Sequence, residues 1–278
     1  MMLSKDTRRR GNFILTSIGL RRKGFFTPYD FLDANSWDQE PYEEVMALFE
    51  ARLERFRDFL GEMGANSDYY QRIAADPGLP AWDTRFFSRL DGAALYTAMT
   101  KLRPGRVIEI GSGHSTHFMA RAIQDHDLDT WITCIDPAPR TSLAQLPVLQ
   151  KRRVLDLSDV GLFAELDPGD MVFVDSSHIL QQGFDVDIIL NRILPVLSPG
   201  VIIHFHDIFL PYGYRDPWQS HRFNEQGALI GWLLTGKLDP IFASYYMWKD
   251  YAKAIDEACP DFPLNTSGNG GSLWLKVT

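Results

Sequence analysis

From Arg106 onward the chain alternates short apolar runs with segments of helical spacing. Arg106–Ile110, Trp131–Ile135, Met171–Val174 and Val201–Phe205 are the clear runs, and Arg153–Leu157 is a weaker one between the second and third of these. Runs of this length without polar alternation predict parallel strands buried on both faces. A helix through about Ile123 follows the first run, and Val186, Ile189, Leu190, Ile193 and Leu194 mark another that stops at Pro199-Gly200. Beyond the fifth run the pattern predicts a helix near Phe223–Leu234, an apolar stretch at Ile241–Trp248, a helix near Asp250–Ala258 and a last strand at Ser272–Val277.

Upstream the pattern is different. Residues 1–40 read as irregular, with turn signals at Thr27-Pro28 and Asn35-Ser36. After Pro41, the residues Val45, Leu48, Phe49, Leu53, Phe56, Phe59, Leu60 and Met63 fall on one stripe of a helix ending near Gly61 and Gly64. Such a stripe packs on the domain or on a second copy of the chain, so a homo-oligomer through these helices is one expectation. Residues 65–84 read as a connecting loop, and a second helix spans about Arg85 to Leu102. The expected division is an N-terminal arm with a helical extension over 1–84, and a ligand-binding domain over 85–278.

Composition narrows the classes. With 45% hydrophobic and 23% charged residues the chain is an ordinary globular protein, and a net charge of -8 argues against a general nucleic-acid binder. Lys5, Arg8, Arg9, Arg10, Arg21, Arg22 and Lys23 form a basic start opposed only by Asp6; without aromatic interleaving it reads as a solvated terminus rather than an arm for anionic partners. The apolar stretch Phe13–Leu20 is shorter than the ~20 residues a membrane span needs and lacks a small-residue cleavage site. Cys134 and Cys259 have neither disulfide-framework nor zinc-ligand spacing, which fits a reducing cytoplasm.

The chemistry begins at Glu109-Ile-Gly-Ser-Gly-His-Ser-Thr116, between a strand and a helix. Gly111 and Gly113 allow a tight turn and close approach of a ligand, and Ser115 or Thr116 can cap the helix. Asp136 ends the second strand, where a carboxylate can bind both ribose hydroxyls. An acid two residues before the first glycine would repel a pyrophosphate. S-adenosylmethionine (SAM) has no phosphate and carries an amine and a sulfonium, so Glu109 favours it over a dinucleotide.

This pattern resembles the class I SAM-dependent methyltransferases. Val107–Thr116, Ile135–Arg140, Val174–His178 and His204–Pro211 look more closely like a bacterial group of the methyltransferase-24 type, over residues 85–250. The resemblance implies an α/β, Rossmann-like, mostly parallel sheet of seven strands with a helical N-terminal extension. It implies cofactor contacts from Glu109, Gly111, Ser112, Gly113, Ser115 and Asp136, with Asp156 flanking the adenine.

Ligands in open α/β sheets lie beyond the carboxyl ends of the strands. Asp175, His178, His206 and Asp207 follow the fourth and fifth strands and should converge beside the transferable methyl group. Two mechanisms use them. Asp175 and Asp207 can hold a divalent metal such as Mg²⁺ that acidifies a substrate hydroxyl, although His206 stands where related sugar and catechol enzymes have an oxygen ligand. Alternatively His178 or His206 is a metal-free base oriented by an acid. His204 either lines the site or is a paired core histidine. Phe209–Trp218 reads as a lid over the acceptor site, with Arg215 and Asp216 among its polar groups. The expected activity is O-methylation of a small-molecule or glycan hydroxyl. A non-catalytic SAM-binding protein, and a metal-dependent hydroxylase-like relative on the same sheet, are the alternatives.

Overall fold

The computed structural model describes residues 5–20, 40–78, 80–214, 218, 221–266 and 268–278. The chain forms two compact units, Met1–Gln39 and Glu40–Thr278. In the first, Lys5–Ser17 is helical, which corrects the expectation of an irregular start. The turns expected at Thr27-Pro28 and Asn35-Ser36, and the basic residues Arg21, Arg22 and Lys23, lie outside the described residues. The contacts divide the chain after Gln39, so the helices between 43 and 75, which the sequence assigned to the N-terminal extension, lie within the larger unit.

The larger unit is an α/β fold built on one seven-stranded sheet. Its strands are β1 (Arg106–Ile110), β2 (Trp131–Ile135), β3 (Val148–Lys151), β4 (Met171–Val174), β5 (Ile202–Phe205), β6 (Leu238–Ala243) and β7 (Leu273–Val277), in the order β3-β2-β1-β4-β5-β7-β6. The first five pair in parallel, and β7 runs antiparallel to both of its neighbours. This is the expected Rossmann-like architecture. The order reverses between β1 and β4, and that reversal opens a crevice at their carboxyl ends. In β4 and β5 every residue is buried, as strands covered by helices on both faces require.

Four segments depart from the sequence pattern, each for a tertiary reason. The stripe after Pro41 is carried by two helices, Glu43–Glu50 and Leu53–Ala65. Arg52 interrupts them and pairs with Asp239 at 2.7 Å, and the split lets Phe49, Phe56 and Phe59 pack on Phe242 and Tyr246 of the same chain. Ser67–Ala75 is a helix, not a loop, held by buried Tyr70, whose hydroxyl is 2.7 Å from the Thr97 hydroxyl. The third strand is Val148–Lys151 instead of Arg153–Leu157: an edge strand buries too little to show as an apolar run. Val154 and Leu157, which suggested the later segment, are both exposed. Finally, the stretch Ile241–Trp248 divides into the end of β6 and a helix, Ser244–Asp250. Among the described residues no helix is long and apolar enough to cross a membrane.

Candidate active site

The loop after β1 needs its glycines. Gly111 has φ 78°, and a Cβ there would stand 2.1 Å from the carbonyl oxygen of Asp175. Gly113 packs its Cα on Arg140, whose Cβ would be 3.2 Å from a Cβ at position 113. Side chains at either position would push the loop off β4 or off the segment after β2. The loop borders a cleft of about 490 Å³, within the range of small-molecule sites, lined by Gly111, Ser112, Asp136, Arg140, Leu155, Asp175 and Phe184 among others.

Glu109 does not touch this cleft. Its carboxyl group is fully buried beneath the loop and accepts hydrogen bonds from Ser115 Oγ at 2.5 Å, Thr116 Oγ1 at 2.6 Å and Cys134 Sγ at 3.2 Å. Burial pushes its pKa up to about 7, against the pull of those three donors. Glu109 and Ser115 thus shape the loop from below, whereas Gly111, Ser112 and Asp136 line the cleft. Asp136 is fixed in turn, its Oδ2 accepting from the Ser112 amide at 2.7 Å and hydroxyl at 3.0 Å and its Oδ1 from the Ala138 amide at 2.7 Å. Asp156 is not among the cleft residues. It caps the short turn Leu157–Asp159 and pairs with Arg153 at 3.1 Å, while its neighbours Val154 and Leu155 form the wall.

At the ends of β4 and β5 the expected residues do meet. His178 Nε2 lies 3.3 Å from Asp175 Oδ1 and 3.6 Å from Asp207 Oδ2. His206 Nδ1 lies 3.8 Å from Asp175 and 3.9 Å from Asp207. Both His178 (φ 61°) and Asp207 (φ 55°) adopt left-handed backbone conformations, which non-glycine residues rarely hold without support. His204 stays apart, stacked on Phe173 at 3.9 Å with Nε2 2.9 Å from Ser272 Oγ. Burial holds its pKa well below the ordinary imidazole value, so it is a neutral core histidine.

Two carboxylates that the sequence did not single out complete the site. Glu225, wholly buried at the start of the helix Glu225–Leu234, lies 3.0 Å from His178 Nδ1 and accepts from Ser176 Oγ at 3.0 Å. Asp91, buried in the first turn of Arg89–Leu102, accepts from Ser88 Oγ, Ser244 Oγ and the amides of Gly271 and Ser272, and its Oδ2 is 3.7 Å from His206 Nε2. In the sequence both look like ordinary first-turn acids, and only the Ser88-x-x-Asp91 capping pattern hinted at a fixed carboxylate.

The electrostatics follow from this crowding. Burial opposes charge on His178, but Asp175 and Glu225 outweigh it and raise its pKa to about 10. His206 is likewise held well above the ordinary value against burial, by Asp207, Asp175 and Asp91. Asp175 is held well below the carboxylate range because the two imidazoles overcome its desolvation. On the far side of His206 and Asp207 is a recess of about 120 Å³ walled by Phe86, Phe87, Phe209 and Trp218. The last two come from the segment expected to be a lid; Arg215 and Asp216 of that segment lie outside the described residues.

Residues 108–208 match the Methyltransf_24 family, described as a methyltransferase domain. None of the curated proteins matches the chain. Among solved structures the chain is similar to the O-methyltransferase from Bacillus cereus in complex with S-adenosylhomocysteine (SAH), at 14% identity over 77% of this chain and 91% of that one, TM-score 0.45. It is also similar to the SAH-bound Podospora anserina methyltransferase PaMTH1, at 16% identity over 92% of this chain and 100% of that one, TM-score 0.41. A third is the MycE methyltransferase of the mycinamycin biosynthetic pathway, in complex with Mg, SAH and mycinamycin VI, at 20% identity over 63% of this chain and 47% of that one, TM-score 0.35. The family match spans β1 to the end of β5, and so every residue that lines the cleft: residues 108–208 form a methyltransferase domain, and the chain is a SAM-dependent methyltransferase.

Proposed function

We propose that the enzyme transfers the methyl group to a hydroxyl oxygen of a small molecule or glycan. The observation that carries this reading is the cluster Asp175, His178 and Asp207, one potential ligand atom from each lying within 4.8 Å of the others, between the cofactor cleft and the aromatic recess. Two carboxylates and an imidazole suit a divalent cation such as Mg²⁺ or a metal more tolerant of nitrogen, and these three residues would hold it. Bound there, the cation would supply Lewis acidity that lowers the pKa of a hydroxyl, and SAM would supply an electrophilic methyl group.

The chain's own residues do the positioning. Glu225 fixes the His178 ring so that Nε2 faces Asp175 and Asp207. His206 Nε2 is buried without a hydrogen-bond partner among the described residues and borders the recess, where an acceptor oxygen can bond to it. The phenyl walls keep water from the reacting groups. The surrounding acids keep protons on His178 and His206, so neither ring is ready to act as a base in the metal-free site. The two unpaired, buried cysteines accord with a cytoplasmic setting.

The test is incubation with methyl-labelled SAM and a panel of phenolic and sugar hydroxyl acceptors, with Mg²⁺ or with EDTA. The expected outcome is SAH release and an O-methylated product, abolished by chelation and restored by Mg²⁺. Label on nitrogen or carbon would overturn the oxygen acceptor, and turnover indifferent to EDTA would overturn the cation.

A further inference from the structure

The cofactor cleft is acidic, with Asp136, Asp175 and Asp185 on its walls. Arg140 is the one cationic side chain among the described residues that line it. SAM brings a sulfonium and an amine that suit such a cleft and one carboxylate that does not. An unpaired carboxylate among three fixed acids would be disfavoured by several interactions at once. It needs a cation, and Arg140 is placed to be one.

We infer that Arg140 is the residue that receives the cofactor's amino-acid carboxylate. Its position is set by the cofactor loop itself. The Arg140 amide donates to the Ser112 carbonyl at 3.3 Å, and its Cβ rests against the close-packed face of Gly113. The side chain lines the cleft, and its guanidinium lies 4.8 Å above the ring of Phe86. Stacking on that ring leaves the in-plane N–H donors free for a planar anion, the geometry in which arginine binds a carboxylate with two parallel bonds. No ion pair engages the guanidinium among the described residues, and the side chain is exposed, so no acid of the fold takes its donors. The first turn of the helix His114–His126 adjoins the same place, and its amides add to the positive potential. Phe86 also walls the acceptor recess, so the clamp sits where the two ligands meet.

The inference rests on SAM occupying this cleft, and a ligand pair separates it from that assignment. Dissociation constants are measured by calorimetry for SAH and for decarboxylated SAH, on the wild-type chain and on Arg140→Met. Wild type should bind SAH about tenfold more tightly than the decarboxylated analogue, as a half-exposed charge-assisted pair allows. Arg140→Met should bind the two within about twofold of each other, its affinity for the analogue being unchanged. Arg85→Met, whose residue touches Phe86 from the recess side, should keep the wild-type preference. A preference that survives Arg140→Met, or its absence from the wild type, would overturn the inference. Failure of the wild type to bind SAH at all would strike the cofactor assignment beneath it.

Discussion

The two ends of the crevice treat their acids in opposite ways. On the cofactor side Glu109 and Asp136 each accept three hydrogen bonds at 3.2 Å or less from fixed donors of the chain. On the transfer side the imidazoles of His178 and His206 stand 3.3–3.9 Å from the carboxylates of Asp175 and Asp207, and His206 Nε2 has no hydrogen-bond partner among the described residues. Saturated carboxylates hold a loop in one conformation. Crowded ones, short of donors and carried on strained backbone, are poised to bind something the chain does not itself contain. One end is built to be rigid before the ligand arrives, and the other is completed by it.

The sharpest way to break this contrast is to neutralise one acid from each end. Asp175→Asn should lower methyl transfer by about 10²–10⁴-fold, the range for losing a proton-handling or metal-ligating group. SAH affinity should stay within about threefold. Asp136→Ala should do the reverse, weakening SAH binding while leaving turnover at saturating cofactor close to wild type. Rates of SAH formation beside calorimetric affinities decide it. If Asp175→Asn lost cofactor binding as severely as turnover, the division between the ends would fail.

A smaller effect should follow from the support of the transfer end. Glu225→Gln keeps the volume but removes the charge beside His178 Nδ1. By analogy with outer partners of metal-binding histidines, Mg²⁺ affinity and turnover should each fall about 10–100-fold, with SAH binding intact. Equal loss of all three would mean that Glu225 merely tethers the lid segment.

How much of this could be read from the chain alone follows the same line. The strands, the glycine loop and the four transfer residues are local patterns: apolar runs, turn residues and acids at strand ends. The direction in which Glu109 points is not local, because Ser115 and Thr116 reach it from the next helix and Cys134 from a neighbouring strand. Asp91 and Glu225 were invisible for a related reason. Each sits where helices commonly carry an acid, and their importance lies in His206 and His178, 115 and 47 residues away. The edge strand Val148–Lys151 was missed because it buries little, and burial is what the apolar pattern reports.

A weaker consequence concerns pH. The pKa of His178 rises from 6.5 to about 10 on folding, so between these values the folded chain holds a proton that the unfolded chain releases. That contribution to stability is complete below about 6.5 and is lost as pH climbs through 10, with a slope of at most about 1.4 kcal/mol per pH unit. Urea midpoints of the metal-free protein should therefore decline across this window, and His178→Gln should flatten the decline. Saturating Mg²⁺ should flatten it as well, because a cation there requires the neutral ring. A midpoint that rose with pH would mean that the acids do not hold the proton.

The smallest expected effect tests the one acid that the family resemblance placed beside the adenine and the structure places elsewhere. Asp156 uses Oδ1 to accept from the Ser158 amide at 2.8 Å and Oδ2 to pair with Arg153, whose guanidinium also holds Asp159. All of these partners belong to the turn that follows β3, and none of them lines the cleft. The wall there is made by Val154 and Leu155, which offer an adenine ring apolar surface instead of a hydrogen bond. Asp156→Ala should thus loosen one exposed turn and change SAH affinity by less than about twofold, since a solvent-exposed pair contributes at most about 1 kcal/mol. Leu155→Asp, which sets a charge against the ring, should weaken SAH by tenfold or more, roughly the cost of burying an uncompensated polar group. A tenfold loss in Asp156→Ala would instead show the turn closing over the cofactor and give the cleft a further acid that acts on the ligand directly.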